Sequence, residues 1–294
     1  MSEKIKKSLL ILGPNKPSIS TDMLIKEAEE RFQKVVYAPI GKIVLHLSND
    51  GANMFYGKID LSKFDYCLPR IDSKRAHHGY HIIRMMDAIG MKKPYTAETI
   101  LTAHNKYKTQ ETMQRAGVPI ADSYLIDSIS ATSEVIRDVK YPIVAKIVDS
   151  FGGYGVMIFE DKDTARSTIQ TLRLLKQQIL IEEFIPNPGE DIRAFVVGDR
   201  IVAAMKRIAK KGEQRANLMQ GGKAEKTELS DEMKKIAMQA AAASGSSIVA
   251  VDMIESKKGT KVIEININPG LKGITKATKV NVAKLIIDFI CEEI

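Results

Sequence analysis

The sequence predicts a mixed α/β and α+β protein: an open α/β domain at the N-terminus, a small central α+β domain, and a C-terminal antiparallel-sheet domain. Three observations predict it. Apolar strand-like runs alternate with helical periodicity through the first hundred residues. A glycine cluster then joins two short strand-like runs, and the last third is dominated by strand pairs around polar turns. A chain of 294 residues with 44% hydrophobic content is long and apolar enough for two or three cores.

In the first unit, residues 1–100, strand-like runs at 8–12, 34–37 and 66–69 alternate with helical patterns at 22–32 and 80–89. The central unit, 101–183, opens on a helical pattern at 105–116 stopped by Gly117-Val118-Pro119. Strands at 123–126, 142–148 and 156–159, a helix at 163–176 and a strand at 179–184 complete it. The C-terminal unit, 184–294, reads as a hairpin of 191–197 and 200–206 around Gly198-Asp199, a helix at 230–243, and a second hairpin within 249–270.

The net charge of +8 favours an anionic partner: nucleotide, nucleic acid or acidic peptide. Basic residues are spread along the chain and Trp is absent, which speaks against RNA recognition by stacking. Cys67 and Cys291 alone cannot make a disulfide framework. The apolar run after Lys4, Lys6 and Lys7 ends at Gly13-Pro14, too short for a signal peptide, and no later run spans a bilayer. A soluble cytoplasmic protein with no membrane partner is expected.

The hairpin at 249–270 is the segment richest in chemistry. Glu264, Asn266 and Asn268 alternate with Ile263, Ile265 and Ile267, so one face carries oxygen ligands and the other is apolar. A turn over 256–260 sets Asp252 opposite Glu264, and two facing carboxylates destabilise a sheet unless a cation lies between them. All-oxygen ligands suit Mg²⁺ rather than zinc. The alternative is a half-exposed hairpin whose polar face meets water.

The cluster Gly152-Gly153-Tyr154-Gly155 follows a strand carrying Lys146. It is neither a P-loop nor a dinucleotide turn, because it joins two strands. A glycine-rich hairpin can fold over phosphates and offer them backbone N–H groups, with Lys146 neutralising charge; a plain surface hairpin is the other reading. Glu182, Glu183 and Phe184 close the strand at 179–184, where a purine could stack, although two acids at a strand end also suit solvent. Asp191 and Arg193 share a strand face, Arg207 ends the partner strand, and Arg215 and Asn217 sit in a polar loop; arginine suits bidentate phosphate recognition. A structural ion pair between Asp191 and Lys206, opposite across the hairpin, is the plainer reading and is compatible with the functional one.

The order of these pieces, with Leu68-Pro69-Arg70-Ile71, Asn105-Lys106 and Asn266-Ile267-Asn268-Pro269-Gly270, resembles the ATP-grasp superfamily and, within it, the RimK-like glutamate ligases, over nearly the whole chain. The resemblance implies an ATP-grasp fold in which the central unit, 101–183, is the lid, and ATP bound by Lys106, Lys146, Gly152, Gly153, Gly155, Glu182, Glu183, Phe184, Asp191, Arg215 and Asn217. It implies Mg²⁺, with Mn²⁺ expected to substitute, on Asp252, Glu264 and Asn266, and Arg193 and Arg207 beside the transferred phosphate. The implied reaction activates a carboxylate as an acyl phosphate and joins it to an amino acid, glutamate above all, on an acidic acceptor: a ribosomal protein tail, a glutamylated coenzyme or an amino-group carrier protein. Family habit implies a homodimer or homotetramer. The chain departs from the pattern at Lys74, Arg75, His77 and His78, at Lys206 and at Asn268; with Arg70 these are the candidates for acceptor contacts. A non-catalytic nucleotide-binding or ribosome-associated regulator on the same fold is the competing reading.

Overall fold

Leu9, Leu10, Ile11 and Leu12 are all fully buried, which makes β1 (Ile5–Gly13) a strand covered on both faces. The computed structural model describes residues 4–150, 155–187, 189–210 and 222–294. Helix α1 (Ile19–Arg31) starts where the Ser18 side chain accepts the Thr21 N–H, and leads into β2 (Phe32–Pro39). An antiparallel meander of β3 (Ile43–Ser48), β4 (Gly51–Tyr56) and β5 (Ile59–Asp60) follows, then β6 (Tyr66–Pro69), α2 (Ala76–Ala88) and α3 (Ala97–Ala103). The parallel sheet runs β2-β1-β6.

Asn105 caps α4 (Lys106–Arg115) by accepting the Lys108 N–H, and Gly117 ends that segment with φ +69°. Then come β7 (Ser123–Ile126), α5 (Ile129–Asp138), β8 (Ile143–Ile147), β9 (Val156–Phe159), α6 (Lys162–Leu174) and β10 (Ile179–Glu183). These strands form a sheet in the order β7-β10-β8-β9. The C-terminal part adds β11 (Glu190–Val197), β12 (Arg200–Ile208), β13 (Lys223–Lys226), α7 (Asp231–Ser244), β14 (Ile248–Ser256), β15 (Gly259–Asn266), α8 (Leu271–Thr278) and α9 (Val282–Glu292). Its antiparallel sheet runs β13-β12-β11-β14-β15.

The cores divide differently from the chain. Two large clusters each combine first-sheet residues such as Leu10 or Leu9 with C-terminal residues such as Val251 or Phe195. A third, smaller core holds Ile126, Ile143, Ile169, Ile179 and their neighbours, all from the four-stranded lid. Met113 of α4 belongs to the first large cluster, so that helix packs with the main body rather than the lid.

Two β-bulges correct the expected registers. Val197 pairs with Arg200 across the Gly198-Asp199 turn, but a shift between Phe195 and Val196 leaves Val202 as an extra residue. Beyond it Asp191 faces Arg207, and Lys206 faces Ile192. The expected Asp191–Lys206 pair is therefore replaced by Asp191–Arg207, because one inserted residue exchanges the faces of a strand. In the second hairpin the turn is one residue tighter than expected, with Ser256 opposite Gly259. A shift at Ile263 then restores Asp252 opposite Glu264, as the sequence predicts, and turns Ile263 out of the apolar face.

Candidate active site

A cleft of about 1250 Å³ lies between the lid sheet and the C-terminal sheet. From the lid it receives Lys146, Glu182, Glu183 and Phe184; from the larger sheet come Asp191, Arg193, Arg207, Glu264 and Asn266, with Lys106 from the start of α4. Strand pairing explains the second group. Arg193 pairs with Asp252 and Asp252 with Glu264, while Asp191 pairs with Arg207, and directly paired residues project to the same face.

The centre is a four-membered charge network across three strands. Arg193 donates from Nε and Nη2 to the two oxygens of Asp252, at 2.6 and 2.7 Å. Arg207 donates from Nη2 to Asp252 at 2.7 Å and from Nε and Nη2 to Asp191. Asp252 is 1% exposed; burial alone would raise its pKa, but the Arg193 and Arg207 guanidiniums outweigh that and hold it below the usual carboxylate range. Burial pushes Asp191 up to about 6, against the pull of Arg207. Glu264 is exposed to the cleft and carries no ion pair among the described residues, and Asn266 Oδ1 accepts the Asn268 N–H at 2.9 Å.

Opposite this network Lys146 Nζ lies 2.6 Å from Glu182, which is 3% exposed and also within 3.4 Å of Gln110. Glu183 pairs with Lys261 and accepts the Asp122 N–H at 3.2 Å. Lys106 Nζ donates to Ser150 Oγ at 3.1 Å; burial lowers its pKa, while Glu264 pulls it back up. Gly155 has φ +69°, and a Cβ there would stand 3.0 Å from Ser150 Oγ, so the hairpin's exit requires glycine. Gly152, Gly153, Arg215 and Asn217 lie outside the described residues.

The acceptor candidates scatter. Arg70 is 5% exposed and donates to the Pro269 carbonyl at 2.8 Å, pinning the loop after β15 rather than lining the cleft. Arg75 pairs with Asp72, His78 contacts the Ile40 carbonyl, and neither these nor Lys74 line the cleft. Lys206 pairs with Glu190 at 2.9 Å on the strand face opposite Arg207. Asn268 does line the cleft, and its buried Oδ1 has no partner. The sequence reading missed Lys223, Lys226, Lys272, Lys276 and Lys279, which line one end of the cleft. The helical spacing of Lys272 and Lys276 was the available signal.

The donor set fits Mg²⁺. Among the described residues no three His, Cys, Asp or Glu side chains gather as a cage. Two facing carboxylates and a carboxamide nevertheless supply the hard oxygens that Mg²⁺ takes alongside phosphate and water. No helix of the described residues is long and apolar enough to cross a membrane.

Comparison with known proteins agrees with the geometry. The model of a RimK-like ATP-grasp domain matches residues 103–290, and that of a RimK PreATP-grasp domain matches 8–100. A "Probable alpha-L-glutamate ligase 2" of Hahella chejuensis is 33% identical over 289 residues, 97% of this chain and 95% of that protein. A "Probable alpha-L-glutamate ligase" of Legionella pneumophila is 35% identical over 285 residues, 96% of this chain and 94% of that protein. Among solved structures, a RimK domain ATP-grasp protein from Sphaerobacter thermophilus superposes with a TM-score of 0.73 at 20% identity, covering 95% of this chain and 98% of its own. The ATP-grasp ligase PsnB, in complex with a precursor variant, Mg and ADP, gives 0.76 at 16% identity over 98% of both chains.

Proposed function

The chain belongs to the RimK-like ATP-grasp family, and from that premise we propose that it is an ATP-dependent, ADP-forming ligase that joins L-glutamate to an acidic acceptor. One observation carries the reading: the Asp191–Arg207–Asp252–Arg193 network, flanked by Glu264 and Asn266, faces Lys146 and Lys106 across a single cleft. The charges of these residues therefore gather at one cleft, which supports a site for a triphosphate and a reacting carboxylate. A decayed, merely regulatory scaffold gives no reason to keep them all.

In this reading ATP lies between the sheets, its base near Phe184 and its phosphates toward Lys106 and Lys146. The acceptor's carboxylate attacks the γ-phosphate, forming an acyl phosphate and ADP; the glutamate amine then attacks the acyl carbon and phosphate leaves. Arg193 and Arg207 hold the negative charge as it moves from the phosphoryl oxygens to the leaving phosphate, and they are fixed in advance by their carboxylate partners. Mg²⁺, held by Asp252, Glu264 and Asn266, would neutralise phosphate oxygens, and Mn²⁺ could take its place. The lid, with its own core, covers the nucleotide and keeps water from the acyl phosphate.

The test is purified protein with ATP, Mg²⁺ and each amino acid in turn against a panel of acidic peptides and glutamylated small molecules, read by ADP release and product mass. ADP release that depends on both glutamate and one acceptor, with a product heavier by one or more glutamyl residues, is expected. Nucleotide binding without amine-dependent ADP release across the panel would return the regulatory reading.

A further inference from the structure

Beside the main cleft lies a second cavity of about 190 Å³, lined by Asp72, Ser73, His104, Lys106, Glu264 and Asn268, among others. It shares Lys106, Ile263, Glu264, Asn266 and Asn268 with the main cleft, so the two spaces meet along the end of β15. Its volume would hold about six waters at roughly 30 Å³ each, or the head of a small organic molecule. Three of its side chains end in buried atoms without a hydrogen-bond partner among the described residues: Ser73 Oγ, His104 Nε2 and Asn268 Oδ1. Buried polar atoms are normally paired, and three orphans around one cavity point to a ligand.

All three can accept a hydrogen bond. Oδ1 is an acceptor only, and the serine hydroxyl can act either way. Burial lowers the His104 pKa and so favours the neutral ring, and Nε2 has no partner among the described residues. In the tautomer that carries its proton on Nδ1, the lone pair of the neutral ring lies on Nε2 and accepts. The Asp72 and Glu264 carboxylates add negative potential, although Asp72 is shared with Arg75 and Lys106 opposes them.

We propose that this cavity is the subsite for the amino group of the incoming amine substrate, whose three N–H donors match Ser73 Oγ, His104 Nε2 and Asn268 Oδ1. The inference rests on the ligase reading and deepens it, by separating where the amine waits from where the acyl phosphate forms. From the shared edge at Glu264 to Asn268 the nitrogen reaches the acyl carbon. The ammonium first gives one proton to water, which frees the nitrogen lone pair; the N–C bond then forms, the C–O bond to phosphate breaks, phosphate leaves with that bond's electron pair, and the proton shed by the new amide nitrogen passes to phosphate. Asn268, which touches both spaces, and His104 and Ser73, which touch only the smaller one, thereby become determinants of the amine.

The experiment is a binding titration of the twenty amino acids, and of their N-acetyl derivatives, to the full chain loaded with Mg²⁺ and a non-hydrolysable ATP analogue. At least one amino acid should bind while its N-acetyl form does not. Ser73→Ala and His104→Leu should each weaken it about ten-fold, His104→Gln should recover part of the loss by restoring an acceptor, and analogue affinity and melting temperature should stay at wild-type values. Equal binding of the acetylated form, unchanged affinity in both Ser73→Ala and His104→Leu, or a cavity that takes only ordered water would overturn the proposal. Failure of the ligase reading looks different: the amino acid binds as described, yet no acceptor yields ADP.

Discussion

Asp252 and Glu264 stand opposite each other and share a proposed task, but their surroundings make them unequal. Asp252 is buried beneath two guanidiniums, so Asp252→Ala would leave Arg193 without the carboxylate that pairs with it and Arg207 with Asp191 alone, in a site only slightly open to water. Breaking a buried pair in this way costs about 3–5 kcal/mol, and that variant should show a large drop in its denaturation midpoint together with lost turnover. Glu264 has no ion pair among the described residues and faces the cleft, so Glu264→Ala should abolish ADP release while moving stability by no more than about 0.5 kcal/mol. Melting curves and ADP assays on the two variants check this; substantial turnover by Glu264→Ala would remove the metal assignment. The pairing of these two residues was legible because strand alternation and a short polar turn are local signals. The double use of Asp252 was not, since it depends on arginines 45 and 59 residues away in the chain.

At the level of elements, the hairpins carry the site through their bulges. The residue types along β11 and β12 predict a hairpin with acids and arginines on one face, and the structure has it. What alternation cannot reveal is the extra Val202, which decides whether Lys206 or Arg207 meets Asp191. Both are cationic, so composition gave no warning. The consequence is testable: Lys206→Ala should keep turnover within about two-fold of wild type, because its pair with Glu190 is about one-third exposed and lies on the strand face opposite Arg207. Arg207→Lys keeps the charge but loses the fork that joins Asp191 to Asp252, and should lower kcat by about 100-fold or more. Comparable losses in both variants would mean that the bulged register is not the active one. The lid hairpin offers a second test. Gly155→Ala forces a left-handed conformation at about 1–2 kcal/mol and presses on Ser150, the residue that holds Lys106. It should raise KM for ATP more than it lowers the melting temperature of the whole chain, as steady-state kinetics and calorimetry would show.

Across the whole molecule, the first and last thirds of the chain share two cores while the lid keeps its own, so the cleft lies between a larger packed body and a smaller one. The excess positive charge is distributed unevenly over this arrangement. Lys223 and Lys226 on β13 and Lys272, Lys276 and Lys279 around α8 line one end of the cleft, all exposed, and none of them forms an ion pair among the described residues. The expectation that Lys74 and Arg75 attract the acceptor came from a cluster in sequence; in space Arg75 is committed to Asp72 and the cluster lies away from the cleft. Five lysines brought together from two elements could not be recognised as one patch before the fold was known. Their shared potential should draw in an acceptor bearing several carboxylates, with an attraction screened over about 8–10 Å at ordinary ionic strength. Double charge reversal, Lys276→Glu with Lys279→Glu, should raise KM for an acidic acceptor by about ten-fold at low salt, and the difference from wild type should shrink as salt is added. ATP affinity should change far less, because its phosphates are held by Lys106, Lys146 and the arginines. A Lys74→Glu variant should leave acceptor KM near wild type. If instead Lys74→Glu were the damaging change and the double reversal harmless, the acceptor would enter over the N-terminal unit rather than along α8.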